Sequence, residues 1–203
     1  VLELPVVAPA AEVAGAVHAR AGRAEGVGEE SLRGEGRAGR VAAGHPGATV
    51  ERKFVDAVAD VLDRRMETDA GVVVLGEDVH RLKGGTNGAT RGLKDKYPDR
   101  VLGTPISENA FAGLGGGLAM DGRYRPIVEF MYPDFMWVAA DQVFNQIGKA
   151  RHMFGGDIDM PFVLRTKVAM GTGYGSQHSM DPAGIFATAP GWRIVAPSTP
   201  YEY

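Results

Sequence analysis

The 203-residue sequence has no cysteine. A disulfide scaffold, a cysteine-ligated zinc site and a thiol nucleophile are thereby excluded. An excess of one charge is missing too: 22 Lys and Arg face 25 Asp and Glu, for a net −3. With no basic surplus to neutralise phosphates, an electrostatic nucleic-acid binder is excluded as well. No run of 18 apolar residues occurs, so no membrane-spanning helix is expected. The apolar opening, residues 1–7, has no basic segment before it and is broken by Glu3 and Pro5. It does not read as a signal peptide, and a cytoplasmic protein is expected. The five histidines include no pair spaced i, i+4, so no helical metal-ligand pair is expected.

Aromatic residues are absent from residues 1–50, which hold 12 Ala and 9 Gly with Arg and Glu interspersed. Such a stretch cannot bury enough apolar surface to offset its ordering entropy. It reads as an extension or linker, in which residues 1–7 could pair as a strand and residues 10–23 form a weak helix. From Thr49, a candidate helix cap, the pattern changes. Phe54, Val55, Val58, Val61, Leu62 and Met66 fall at helical spacing. Val72-Val73-Val74-Leu75, Val101-Leu102, residues 126–130, residues 161–165 and residues 193–196 read as five short strands. Helices are predicted over residues 90–97, 108–120, 134–154 and 181–188. Alternating strands and helices imply an α/β fold with a mostly parallel sheet flanked by helices. The helix over 108–120 carries Gly113, Gly115, Gly116 and Gly117. Each Gly costs a helix about 1 kcal/mol against Ala, so this helix is expected to lie close against something else.

In a parallel sheet, ligands bind outside the carboxyl ends of the strands. The loops there offer Gly76-Glu77-Asp78, Glu108 at the start of the Gly-rich helix, Tyr132 and Phe135, and Gln177-His178-Ser179. A carboxylate suits a helix N-terminus, so Glu108 reads either as a first-turn acid or as a functional one. His178 could serve as a general acid/base or be an ordinary loop histidine. Tyr132 and Phe135 could stack on a planar ligand or pack in the core. The Gly113–Gly117 cluster has neither of the common phosphate-loop spacings. Composition and spacing alone stop at a ligand-binding α/β domain.

An ordered series of strings goes further. Gly76-Glu77-Asp78-Val79 is followed by Gly84-Gly85, Thr104-Pro105-Ile106-Ser107-Glu108-Asn109-Ala110-Phe111-Ala112-Gly113 and Arg125-Pro126-Ile127-Val128-Glu129-Phe130-Met131. Asp134-Phe135, Asp141-Gln142, Gly155-Gly156, Gly175-Ser176-Gln177-His178-Ser179, Pro190-Gly191 and Pro197-Ser198-Thr199-Pro200 continue it. Together they resemble the beta subunit of the thiamine-diphosphate-dependent first component of 2-oxo acid dehydrogenase complexes, a group that includes pyruvate, branched-chain and acetoin dehydrogenases. The resemblance covers residues 51–203 and implies a transketolase-like pyrimidine-binding domain.

It also implies roles. Glu108 would contact N1′ of the cofactor's aminopyrimidine, share a proton with it and favour the imino tautomer. Phe135 and Met131 would line the pyrimidine pocket. His178 would act in proton transfer and in acylation of a lipoyl group. The Gly-rich helix would pack on a partner subunit. The family's Gly-Asp-Gly motif for diphosphate and magnesium is not found here. That half of the site, magnesium included, is expected on an alpha-like subunit or domain, with no metal ligand on this chain. A lipoyl-bearing acyltransferase and an α2β2-like oligomer are the other implied partners. The family's C-terminal transketolase domain, which would follow residues 197–200, is expected to be absent from this chain. Residues 1–50 would suit a linker between an alpha-like and a beta-like domain. A transketolase or deoxyxylulose-phosphate synthase, or a non-catalytic assembly domain, are the alternatives.

Overall fold

The apolar stripe beginning at Phe54 forms α1 (Phe54–Thr68) in the computed structural model, which describes residues 51–85 and 88–203. The expected strand in residues 1–7, the helix in 10–23 and the Thr49 cap lie outside the described residues. Lys53 occupies the cap position of α1. Four strands follow: β1 (Val72–Glu77), β2 (Val101–Thr104), β3 (Arg125–Glu129) and β4 (Val163–Arg165). All pairings are parallel, and the spatial order is β2-β1-β3-β4. Parallel neighbours need crossovers. Here α2 (Leu93–Lys96) lies between β1 and β2, and α3 (Glu108–Met120) between β2 and β3. A composite helical segment joins β3 to β4, and α5 (Ala183–Phe186) comes after the sheet.

All six residues of β1 are buried, because the sheet is covered on both faces. Strand alternation divides them. Val72 and Val74 join Leu62, Met66, Leu93 and Val101 on the α1 side. Val73 and Leu75 join Phe111, Val128, Phe130, Val143 and Phe186 on the other side. The glycines of α3 make the second layer thin. A Cβ on Gly115 would lie 2.5 Å from Val128 Cγ2 and 2.9 Å from Phe162 Cε2, and one on Gly116 would lie 2.9 Å from Ile147 Cγ1. Gly115 and Gly116 therefore serve close approach within the chain. Gly117 alone of these faces open space. Gly115→Ala is expected to destabilise the domain by about 1–3 kcal/mol through overpacking. Gly117→Ala should stabilise it by about 0.5–1 kcal/mol through helix propensity. Urea unfolding of the two variants checks both signs.

Two expectations need correction. Residues 134–154 are not one helix. They form a 3-10 helix (Pro133–Trp137), a π-helix (Asp141–Ile147) and α4 (Gly148–Met153). The Gly148 N–H donates to Val143 O, five residues back, and the Trp192 indole N–H donates to the same carbonyl at 3.2 Å. A tertiary contact thus supports the wide turn. Residues 193–196 are not a fifth strand. Trp192 and Ile194 pack on the α3 layer and Val195 is 73% exposed, so the chain crosses the helical layer instead of extending the sheet. Among the described residues, no helix is long and apolar enough to cross a membrane.

Candidate functional site

Parallel strands place all their carboxyl ends on one edge. The pairing register sets Gly103, Gly76, Glu129 and Arg165 in a row across it, from β2 to β4. Gly76 has φ +152, and a Cβ there would strike the Glu129 carbonyl, so glycine is required for β1 and β3 to close up at this point.

Glu108 is the first residue of α3 and only 7% exposed; Glu77, the last residue of β1, is equally buried. Burial pushes the Glu77 carboxyl up from an ordinary 4.5 to about 7, and the charge of Glu108 and a hydrogen bond with it push the same way. Two adjoining buried carboxyls resist double ionisation, so Glu77 keeps its proton up to nearly neutral pH. Among the described residues, three buried side-chain oxygens lack a hydrogen-bond partner: Glu77 Oε1, Thr104 Oγ1 and Thr166 Oγ1. Each lies at the last residue of a strand or the one after it. Unsatisfied buried acceptors and donors of this kind suit a ligand that supplies the missing partners.

The raised pKa makes a prediction about stability. Between about pH 4.5 and 7 the folded chain keeps a proton on Glu77 that the unfolded chain has released. The contribution is complete below the unfolded pKa and is lost as pH rises through the folded one. Glu77→Gln should therefore gain nothing over the parent at the acid end and about 1–3 kcal/mol at pH 8. Urea unfolding of the cofactor-free chain at both pH values tests this.

The second group of residues surrounds His178, at the end of a 3-10 turn (Ser176–His178). Its ring lies edge-on to Tyr132 at 4.9 Å and to Phe135 at 5.3 Å, with Tyr174 at 6.3 Å. Burial raises the Tyr132 phenol, and Tyr174 adds to it. Phe135 also packs on the core cluster above β3. Phe135 is thus a core-packed residue that also meets the His178 ring. Met131 is half-buried between β3 and the Pro133–Trp137 turn. Tyr132 and Phe135 follow β3, and Glu108 follows β2, so both groups stand on the same edge of the sheet.

Three participants were not assigned from sequence. Glu77 was only a residue in a loop string. Arg165 donates from Nε to Glu129 Oε2 at 3.0 Å and makes a second bond from Nη2 to the same oxygen. Lys167 Nζ lies 4.8 Å from the Tyr132 ring centre and 5.9 Å from that of Tyr174; burial lowers its pKa and Glu129 offsets part of that. A buried neighbour of a strand-end glutamate is visible in sequence only once the register is known.

A buried carboxyl pair and an aromatic group around His178 thus stand on one strand-end edge of a parallel α/β domain. The family model described as the transketolase pyrimidine binding domain matches residues 51–203, and the chain belongs to that family. It is 42% identical over 155 residues to the beta subunit of acetoin:2,6-dichlorophenolindophenol oxidoreductase from Cupriavidus necator, covering 72% of this chain and 46% of that protein. It is 41% identical over 150 residues to the 2-oxoisovalerate dehydrogenase beta subunit of Bacillus subtilis, covering 73% and 45%. It is 43% identical over 148 residues to the pyruvate dehydrogenase E1 component beta subunit of Porphyra purpurea, covering 72% and 44%. The match thus spans less than half the length of these relatives.

Proposed function

We propose that this chain is part of a thiamine-diphosphate-dependent 2-oxo acid dehydrogenase, which oxidatively decarboxylates pyruvate or a related 2-oxo acid and passes the acyl group to a lipoyl carrier. The observation that carries the reading is Glu108, buried at the start of α3 next to the buried Glu77, whose carboxyl is pushed up to about 7. An aminopyrimidine offers ring nitrogens and an amino group, the kind of partner that the unsatisfied Glu77 Oε1 and Thr104 Oγ1 call for. Thiamine diphosphate, when bound, supplies the carbon nucleophile for cleavage next to a carbonyl. Glu108 holds the proton at the pyrimidine ring nitrogen. Phe135 and Met131 exclude water from the ring, and His178 serves the acyl-transfer step. Diphosphate and magnesium are assigned to an alpha-like partner subunit or domain, and the acyl acceptor to a lipoyl-bearing acyltransferase.

The test is turnover by the full-length protein assembled with that partner, thiamine diphosphate and magnesium. Pyruvate, 2-oxoisovalerate and acetoin are offered with an artificial electron acceptor; acetoin is included because it is in the name of one relative. Turnover of a 2-oxo acid is expected. Activity with none of the 2-oxo acids would end this reading.

A further inference from the structure

A 3-10 helix turns once in three residues, so side chains three apart eclipse. In the Pro133–Trp137 turn this stacks Asp134 with Trp137, and Phe135 falls three residues after Tyr132. The two pairs hold different parts of the His178 loop. Tyr132 and Phe135 meet the imidazole ring. Asp134 accepts the Met180 backbone N–H, with Oδ1 and Oδ2 each 3.3 Å from the nitrogen, and the Trp137 indole N–H donates to Met180 Sδ at 3.2 Å.

We propose that Asp134 is a positioning residue for His178: its carboxylate holds the backbone two residues beyond the histidine and so keeps the imidazole against Tyr132 and Phe135. The loop cannot do this for itself. Gly171, Gly173 and Gly175 all have positive φ, where the backbone has most freedom. The His178 N–H and Ser179 hydroxyl both donate to Gly175 O, which folds the loop on itself without tying it to the sheet. A charge-assisted bond from a carboxylate on the β3 side supplies the tie. The continuous α-helix expected over residues 134–154 would have set residues 134 and 137 about 60° apart around the axis rather than eclipsed.

The inference rests on the proposed acyl-transfer role of His178. A displaced catalytic group loses about 100-fold for an error near 1 Å. In the assembled full-length enzyme, with the best substrate among pyruvate, 2-oxoisovalerate and acetoin and with lipoamide as acceptor, Asp134→Ala should lose about 10- to 100-fold in kcat. KM for thiamine diphosphate should stay the same. Asp134→Asn keeps one acceptor oxygen and should recover to within about 5-fold of the parent. Asp134→Ala should add no further loss to His178→Ala, because the two act as one unit. Hydrogen exchange at the Met180 amide should rise in Asp134→Ala and not in Asp134→Asn. Losses that multiply in the double variant, or an unchanged kcat in Asp134→Ala, overturn the proposal. If the parent turns over none of the three compounds, the acyl-transfer reading falls separately, and unchanged Met180 exchange in Asp134→Ala then overturns the tie itself.

Discussion

Glu108→Gln is expected to cut turnover of the assembled enzyme at least about 100-fold, the range in which positioned proton-transfer groups contribute. The side chains are almost the same shape, so the loss would come from chemistry and not from packing. In the proposed role, glutamine could not hold and release the proton at the pyrimidine nitrogen. Folding should change by less than about 1 kcal/mol, because two small effects oppose. A neutral side chain forgoes about 0.3–1 kcal/mol at a helix N-terminus. It also relieves the repulsion that helps to raise Glu77. The same substitution should bring the Glu77 pKa down from about 7, since the Glu108 charge is one of its causes; burial, the larger cause, remains. A carbon-13 titration of the Glu77 carboxyl reads this without any assay. If kcat survives Glu108→Gln, the carboxyl at the head of α3 is a helix-terminal acid and nothing more. A loss confined to KM would make it a binding group, with no part in the transition state.

The sheet was legible because its strands are short apolar runs closed by turn residues, and α1 because its apolar positions repeat at helical spacing. Glu108, Phe135 and His178 were legible as residues on strand-end loops, and the roles proposed for them come from the ordered strings around them. Other features lay beyond local pattern. Apolar periodicity does not separate α from 3-10 or π geometry, and the wide turn at Val143 is held by Trp192, 49 residues further on. Ile194 and Val195 have the composition of a strand, yet Trp192 anchors that segment on the helical layer. Glu77 looked like any loop acid because burial of a strand end depends on the layers packed over it. The pairing of Glu129 with Arg165 follows from β3–β4 register, which no short-range signal encodes.

That pair should give the largest stability effect. The side chains of Arg165 and Glu129 are 12% and 9% exposed. Burial alone would lower the Arg165 pKa, but the charge of Glu129 and the contact with Tyr203 outweigh it and the guanidinium stays ionised. Arg165→Met keeps much of the volume and removes the charge. It leaves Glu129 desolvated without its main partner, and breaking a buried pair on one side costs about 3–5 kcal/mol. Adding Glu129→Leu should recover more than half of that, since an apolar pair of similar size is often no less stable than a buried ion pair. Recovery should stop short of complete because Glu129 also supports the charge of Lys167. Urea unfolding of the parent, the two single variants and the double variant closes the cycle. A single-variant loss under about 1 kcal/mol would mean that water reaches the pair and screens it. The strand-end edge would then be wetter than its burial indicates, and the raised Glu77 carboxyl on neighbouring β1 would have to be reconsidered with it.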